Sequence, residues 1–318
     1  MLPTLRQLEY VVAVAETGQF SEAARRCAVS QPALSKQIRE VEELLGAVLF
    51  ERARPRVIVT PVGAEVVARA RRLLTAAQEL VEVGRGPAGR ELGAIRLGVI
   101  PTIAPYGLPG LLASLRERMP AVSFAIHELQ TEVLLEQLRG GSIDLGLLAH
   151  AFDDHGLAGA DVAVEPFVLV APHDHPLGVA AAVKPGEIAG ASLILMEDGH
   201  CLRDQAIEVC ALAGTPPPTS VSAASVSTLM RMVESGLGPT LLPASALPHE
   251  WRPGEGVVAR SFQGVPPGRT VTLQWRASSP HGAWFSELAA VLRRHYLAIN
   301  QRLPKVAGPK PKIRAPER

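Results

Sequence analysis

The chain has 318 residues, 47% hydrophobic and 20% charged, with a formal net charge of +1, which suits a folded protein of two or three domains and excludes a disordered or fibrous one. No run approaches the ~18 to 20 apolar residues of a membrane span and no leader pattern opens the chain, so a cytoplasmic, membrane-free protein is expected. Three cysteines, at 27, 201 and 210, are too few for a disulfide scaffold, so any disulfide here would be a reversible one.

In chain order, Leu5, Leu8, Val11, Val12 and Ala15 lay the apolar stripe of a helix that Gly18 ends. Ser21 is the expected cap of a second, short helix to Cys27, with Glu22 in its first turn and small Ala23 and Ala24 behind. Ser30 caps a third helix, with Pro32 in its first turn, Leu34, Ile38, Val41, Leu44 and Leu45 on its inner face, and Gly46 at its end. Two helices joined by so short a turn are the helix-turn-helix pattern that enters a DNA major groove. Residues 48–60 alternate β-branched residues with arginines and read as a two-stranded wing exposing Arg52, Arg54 and Arg56.

Thr60 and Pro61 open a long helix to about residue 83, with Val62, Val66, Ala70, Leu73, Leu74, Ala77 and Leu80 along one side, an expected dimerising surface. Gly84, Gly86, Pro87 and Gly89 mark a hinge over residues 84–93. Residues 94–303 then alternate strand-like and helical runs. Strands are expected at 94–100, 123–128, 144–148, 164–172, 193–196, 240–242 and 270–275, with helices at 106–119, 131–139, 202–213, 228–235 and 282–297. That alternation predicts an α/β domain with mostly parallel strands. Residues 304–318, with five Lys or Arg against one Glu and no apolar period, read as a disordered basic tail.

The residues Leu8-Glu9-Tyr10, Gln19-Phe20-Ser21-Glu22-Ala23-Ala24, Val29 through Ser35, Ile38 through Gly46, Leu49-Phe50-Glu51-Arg52 and Thr60-Pro61-Val62-Gly63 together resemble the LysR-type transcriptional regulators. The resemblance implies a winged helix-turn-helix over residues 1–60, a dimerising linker helix over 61–83, and a two-lobed effector domain like a periplasmic binding protein. It also implies promoter DNA as partner, a homotetramer built as a dimer of dimers, and RNA polymerase as a further candidate partner. In the second half, Gly98 through Thr102, Glu128 through Thr131 and the run Glu197 through Ala206, with Cys210, look like the peroxide-sensing branch of that family.

In the DNA-binding unit, Gln31, Pro32, Ser35, Lys36 and Arg39 open the third helix, and the polar ones can share one face toward base edges and phosphates. Residues 1–60 hold eight Lys or Arg against seven Asp or Glu, so placement matters more than the balance; Arg52, Arg54 and Arg56 are assigned to phosphate or minor-groove contacts. Cys27 reads as a packing residue. His173 and His175 have a zinc-like spacing but no second ligand pair nearby, so they read as an exposed turn. No metal and no cofactor is called for.

Read alone, Cys201 and Cys210 fit two inert buried thiols, and Thr102 and Thr131 fit cap or turn residues. The resemblance implies instead that hydrogen peroxide oxidises Cys201 and that Cys210 resolves it into a disulfide. It places Thr102, Thr131, His200, Arg203, Asp204 and Arg276 around the peroxide. Cys201 should lie at a helix N-terminus, where the helix dipole, His200 and Arg203 favour a thiolate while Glu197, Asp198 and Asp204 oppose it. Nine residues of continuous helix would put the cysteines ~13.5 Å apart, whereas a disulfide needs Cα atoms within about 7 Å. Bond formation would therefore break the helix, acting as a switch in a binding protein rather than an enzyme. The alternatives are a regulator of the same family with a small organic effector between the lobes, and a thiol peroxidase or solute-binding protein fused to a helical domain.

Overall fold

The computed structural model describes residues 2–51, 56–85, 94–120, 122–149, 156–188, 190–212, 214, 221–252 and 256–302. Arg52 and Arg54, the hinge from residue 86 on, and the basic tail lie outside the described residues.

The N-terminal unit packs α1 (Leu5–Thr17), α2 (Phe20–Arg26) and α3 (Gln31–Leu45) around Val11, Val14, Ala23, Leu34, Ile38 and Val41. Thr4 and Gln7 close a capping box on α1, and Ser30 caps α3 by accepting from the Ala33 amide. The α2 cap differs from expectation: Gln19 takes the position, without a side-chain bond, and Ser21 lies inside the helix. Phe20, whose ring packs edge-on to Phe50, accompanies the shift, and the cap lies two residues earlier than expected. The wing pairs β1 (Phe50–Glu51) antiparallel with β2 (Ile58–Val59). Glu42 anchors it, accepting from the Leu49 and Phe50 amides at 2.8 and 3.2 Å.

Thr60 caps α4 (Pro61–Arg85) by accepting from the Gly63 amide at 2.9 Å. Gly63 itself lies so close to the wing that a Cβ there would fall 2.2 Å from the Leu49 carbonyl oxygen. Val67 and Ala70 of α4 are buried, whereas Leu73 and Leu80 are 56% and 74% exposed.

The rest of the chain forms two lobes. Lobe I carries β3 (Ile95–Val99) between β4 (Phe124–Glu128) and β5 (Leu145–Leu148), all parallel, with α5 (Ala104–Arg118) and α6 (Thr131–Arg139). The long strand β6 (Leu157–Pro172) then leads from lobe I into lobe II. Lobe II contains α7 (Pro176–Val179), β7 (Leu195–Met196), α8 (Cys201–Leu212), β8 (Ser222–Ala223), α9 (Val226–Glu234), β9 (Thr240–Pro243), α10 (Leu247–Glu250) and β10 (Val257–Arg260). Strand β11 (Gly268–Arg276) returns to pair with β5 and with the first half of β6, and α11 (Gly282–Arg302) packs back on lobe I.

The sheet is therefore mixed rather than mostly parallel. Strands β5–β11, β6–β11, β6–β9 and β6–β10 all pair antiparallel. The cause is topological: one strand runs out to the second lobe and another returns beside it, and an out-and-back pair must be antiparallel. Pro166, which has no amide proton, sits where β6 changes partner from β11 to β9. Each lobe buries its own apolar cluster. Among the described residues no helix is long and apolar enough to cross a membrane.

Candidate functional site

Cys201 is the first residue of α8, and Cys210 lies two and a half turns further along the same helix. Both are free thiols, and they enter different cores: Cys201 packs into the lobe I cluster and Cys210, fully buried, into that of lobe II. The preceding Gly199 takes φ +88°, and a Cβ there would come within 2.9 Å of the Gln130 side chain. That turn lets the chain pass close under α6 before the helix starts.

Thr131, the first residue of α6, and Thr102, after β3, are both buried. Thr131 interacts with the Cys201 sulfur, yet its Oγ1 reaches no partner with full hydrogen-bond geometry; we read this as a loose contact that an anionic sulfur would tighten. His200 is buried, with Nε2 3.4 Å from the Gln130 amide nitrogen and Nδ1 without a hydrogen-bond partner. Asp204 is exposed in the first turn of α8.

The buried cation whose charge acts on the Cys201 thiol is one that the sequence reading missed. Arg269 of β11 is buried and donates from Nη1 to Thr102 Oγ1 at 2.8 Å, from Nη2 to the Thr102 carbonyl at 2.9 Å and from Nε to Glu165 at 2.8 Å. Burial is the largest influence on Cys201 and pushes its thiol above the ordinary range. Arg269, the Thr131 hydroxyl and the cysteine's own amide pull it down, and Asp204 pushes it up. Burial alone raises Cys210.

Arg276 is not in this pocket, contrary to expectation. It pairs with Glu79 of α4 at 3.0 Å and donates to the carbonyls of Leu138 and Ile143. It lies seven positions after Arg269 on the strand, about 23 Å of extended chain, and that odd spacing points the two side chains to opposite faces of β11. Arg203 also turns elsewhere, pairing with Asp198 at 2.9 Å and donating to the Met196 carbonyl, which staples the loop before Cys201 to α8.

On α3, Gln31, Pro32, Lys36 and Arg39 are exposed and Ser35 is half-buried, leaving a polar outer surface at the helix start; Arg56 is exposed beside the wing. Glu40 is taken up by Gln37 and Lys36, at 2.7 and 3.8 Å. Cys27 is partly buried against the helical core. His175 caps α7 by accepting from the Leu177 amide, and His173 lies 3.2 Å from the Gly256 carbonyl.

The family model described as a bacterial regulatory helix-turn-helix protein of the lysR family matches residues 5–64, and the LysR substrate binding domain matches residues 88–297. The HTH-type transcriptional regulator EstR of Acinetobacter baylyi is 40% identical over 294 residues, covering 92% of this chain and 97% of that protein. A hydrogen peroxide-inducible genes activator of Pectobacterium carotovorum is 38% identical over 301 residues, covering 95% and 99%. Among solved structures, a full-length OxyR from Pseudomonas aeruginosa, carrying a cysteine-to-aspartate substitution, aligns with a TM-score of 0.75 at 35% identity, over 92% of this chain and 98% of that one. The chain belongs to the LysR family of bacterial regulatory helix-turn-helix proteins and resembles OxyR over nearly its whole length.

Proposed function

We propose that this chain is a DNA-binding transcription regulator of the peroxide response, switched by a reversible disulfide between Cys201 and Cys210. The observation that carries the reading is that two thiols share one helix while each enters the core of a different lobe. A bond between them breaks α8 and removes a side chain from at least one core. A local covalent step becomes a rearrangement of the two lobes.

The chemistry follows the order of the residues. The Cys201 thiolate attacks one peroxide oxygen, the O–O bond breaks, and the second oxygen leaves as hydroxide and becomes water on protonation. The resulting sulfenic acid condenses with the Cys210 thiol, forming the S–S bond and releasing a second water. Thr102, Thr131 and His200 are the groups that bind and orient the peroxide. Thr131 Oγ1 and His200 Nδ1 are buried polar atoms with no full hydrogen bond, and a peroxide would satisfy them. Arg269 supplies the positive charge, in the place first assigned to Arg276. Arg203 and Asp204 belong to the frame of the pocket, Arg203 by fixing the loop before Cys201.

DNA recognition is assigned to α3, through Gln31, Pro32, Ser35, Lys36 and Arg39, and to the wing, through Arg52, Arg54 and Arg56. The exposed leucines of α4 support a dimer, and a dimer of dimers on promoter DNA, with RNA polymerase contacting the bound assembly, completes the reading. The alternative is a regulator of the same family with a small organic effector between the lobes, a reading that the relatives named as hydrogen peroxide-inducible genes activators do not favour.

Peptide mapping of the reduced protein after stoichiometric hydrogen peroxide decides between them. The expected result is loss of two hydrogens mapped to a Cys201–Cys210 bond, absent in Cys201→Ser and replaced by a trappable sulfenic acid in Cys210→Ser. Two thiols that remain alkylatable after peroxide would leave the organic-effector reading.

A further inference from the structure

Glu165 of β6 and Arg269 of β11 are direct partners in the strand register. Their side chains are 1% and 0% exposed, and Glu165 Oε2 accepts from Arg269 Nε at 2.8 Å. The other carboxylate oxygen, Oε1, accepts from the Ser245 amide at 3.1 Å, in the turn that follows β9 in lobe II. The remaining two guanidinium nitrogens are bound to Thr102. Every nitrogen of the arginine and both oxygens of the glutamate are thus engaged, and the pair has one geometry available.

We propose that Glu165 is a positioning residue for the oxidation of Cys201: it holds the Arg269 guanidinium against Thr102 and, through its own charge, restrains that guanidinium's pull on the sulfur. The inference rests on reading Cys201 as the oxidised thiol. A lone buried guanidinium acts on a neighbouring sulfur as a full charge in a medium that screens poorly, whereas a paired one acts as a dipole, whose field falls off faster. The other groups around the sulfur cannot substitute for this control. Thr131 on α6 is an uncharged hydroxyl, Asp204 on α8 is exposed and of the opposite sign, Arg203 is paired with Asp198, and His200 neighbours Cys201 along the chain with its Nε2 beside Gln130.

Two substitutions separate charge from reach. Glu165→Gln keeps the length and one acceptor for Nε but removes the negative charge, so Arg269 acts on the sulfur undiminished. Glu165→Asp keeps the charge but is one methylene short, so the guanidinium loses its anchor and is drawn off Thr102. The readout is the pH profile of Cys201 alkylation by iodoacetamide in the full-length reduced protein, followed by peptide mapping so that Cys27 and Cys210 do not contribute. Glu165→Gln is expected to move the profile down by about one pH unit, a rise of roughly tenfold in rate at neutral pH. Glu165→Asp is expected to move it up and slow the reaction. A residue that only supports the fold would shift both variants the same way or neither, and either result overturns the proposal.

A variant that fails to fold does not block the test, because Arg269→Gln removes the group through which Glu165 acts. The double substitution Glu165→Gln with Arg269→Gln removes both charges and must therefore lack the downward shift of Glu165→Gln alone, and a double variant that still alkylates as Glu165→Gln does overturns the proposal. The peroxide reading is judged separately. Opposite shifts in alkylation with no peroxide oxidation in the unsubstituted protein would support Glu165 as the thiol's control and sink the peroxide function. Normal peroxide oxidation with unchanged alkylation profiles would do the reverse.

Discussion

Glu79 and Arg276 form an ion pair at 3.0 Å that joins the linker helix to lobe I, with only 13% and 11% of their side chains exposed. The same guanidinium holds the Leu138 carbonyl near the end of α6, the helix that Thr131 opens. A second bond, from Thr75 of α4 to the Gly140 carbonyl at 3.1 Å, lies beside it.

Glu79→Gln should therefore weaken the docking of α4 without touching the thiol. Arg276 keeps two carbonyls and the carboxylate of Asp144 at 3.7 Å. The loss in unfolding free energy is then expected to be about 1–3 kcal/mol rather than the larger penalty of an abandoned buried charge. Urea unfolding measures it, and stopped-flow oxidation of Cys201 should be unchanged within about twofold. A large fall in oxidation rate would return Arg276 to the sensing pocket.

Burial pushes Cys201 and Cys210 above the ordinary thiol range, and this has two consequences with definite signs. At neutral pH the thiolate of Cys201 is a minor species, so its oxidation rate should climb about tenfold per pH unit until the raised pKa is reached. A plateau by neutral pH in stopped-flow measurements would show an ionised resting thiol. For stability, the unfolded thiols ionise near about pH 8.5 while the folded ones stay protonated, so the unfolded chain loses protons first. The contribution is complete below that pH and is lost as pH rises toward the folded values, and thermal melting across alkaline pH reads it.

Arg39 and Gln31 should fail differently on DNA. Arg39→Ala removes one phosphate-class cation, so binding should weaken similarly on all sequences and the salt dependence should drop by about one unit. Gln31→Ala should lose about 1–3 kcal/mol on the cognate site and relax discrimination there. Titrations at several salt concentrations on specific and scrambled duplexes separate the two; equal behaviour would mean that α3 sits otherwise in the groove.

Leu73 is 56% exposed on α4. Leu73→Glu should leave the folded protomer as stable as before, within about 0.5 kcal/mol, because no core packing is lost. It should shift the protein toward monomer in sedimentation and weaken DNA binding. An unchanged assembly would place the dimer contact elsewhere.

Local chemistry made the N-terminal unit legible. Ser30, Pro32 and Gly46 act within a few residues of their own positions, and α3 forms between them as their order implies. The start of α8 at Cys201 and the bounds of α6 at Thr131 and Arg139 follow in the same way from short-range apolar spacing. The cap of α2 did not follow, and Phe20 beside it packs on Phe50, thirty residues away and in another element. The first half of β6 was equally hidden: its alanines and glycine carry little strand signal, and its pairing with β11 defines it.

The sequence by itself determined the longer elements, the helix-turn-helix with the polar outer face of α3, and the cysteine pair with the residues flanking it. Only the tertiary structure decided that Arg269 rather than Arg276 binds Thr102, that the two cysteines enter the cores of different lobes, and that Arg276 instead binds the linker helix. The reason is distance along the chain. Arg269 meets Glu165 across 104 positions and Arg276 meets Glu79 across 197. Periodicity and capping act within one or two turns, so contacts of that span are set by how the strands and lobes come together.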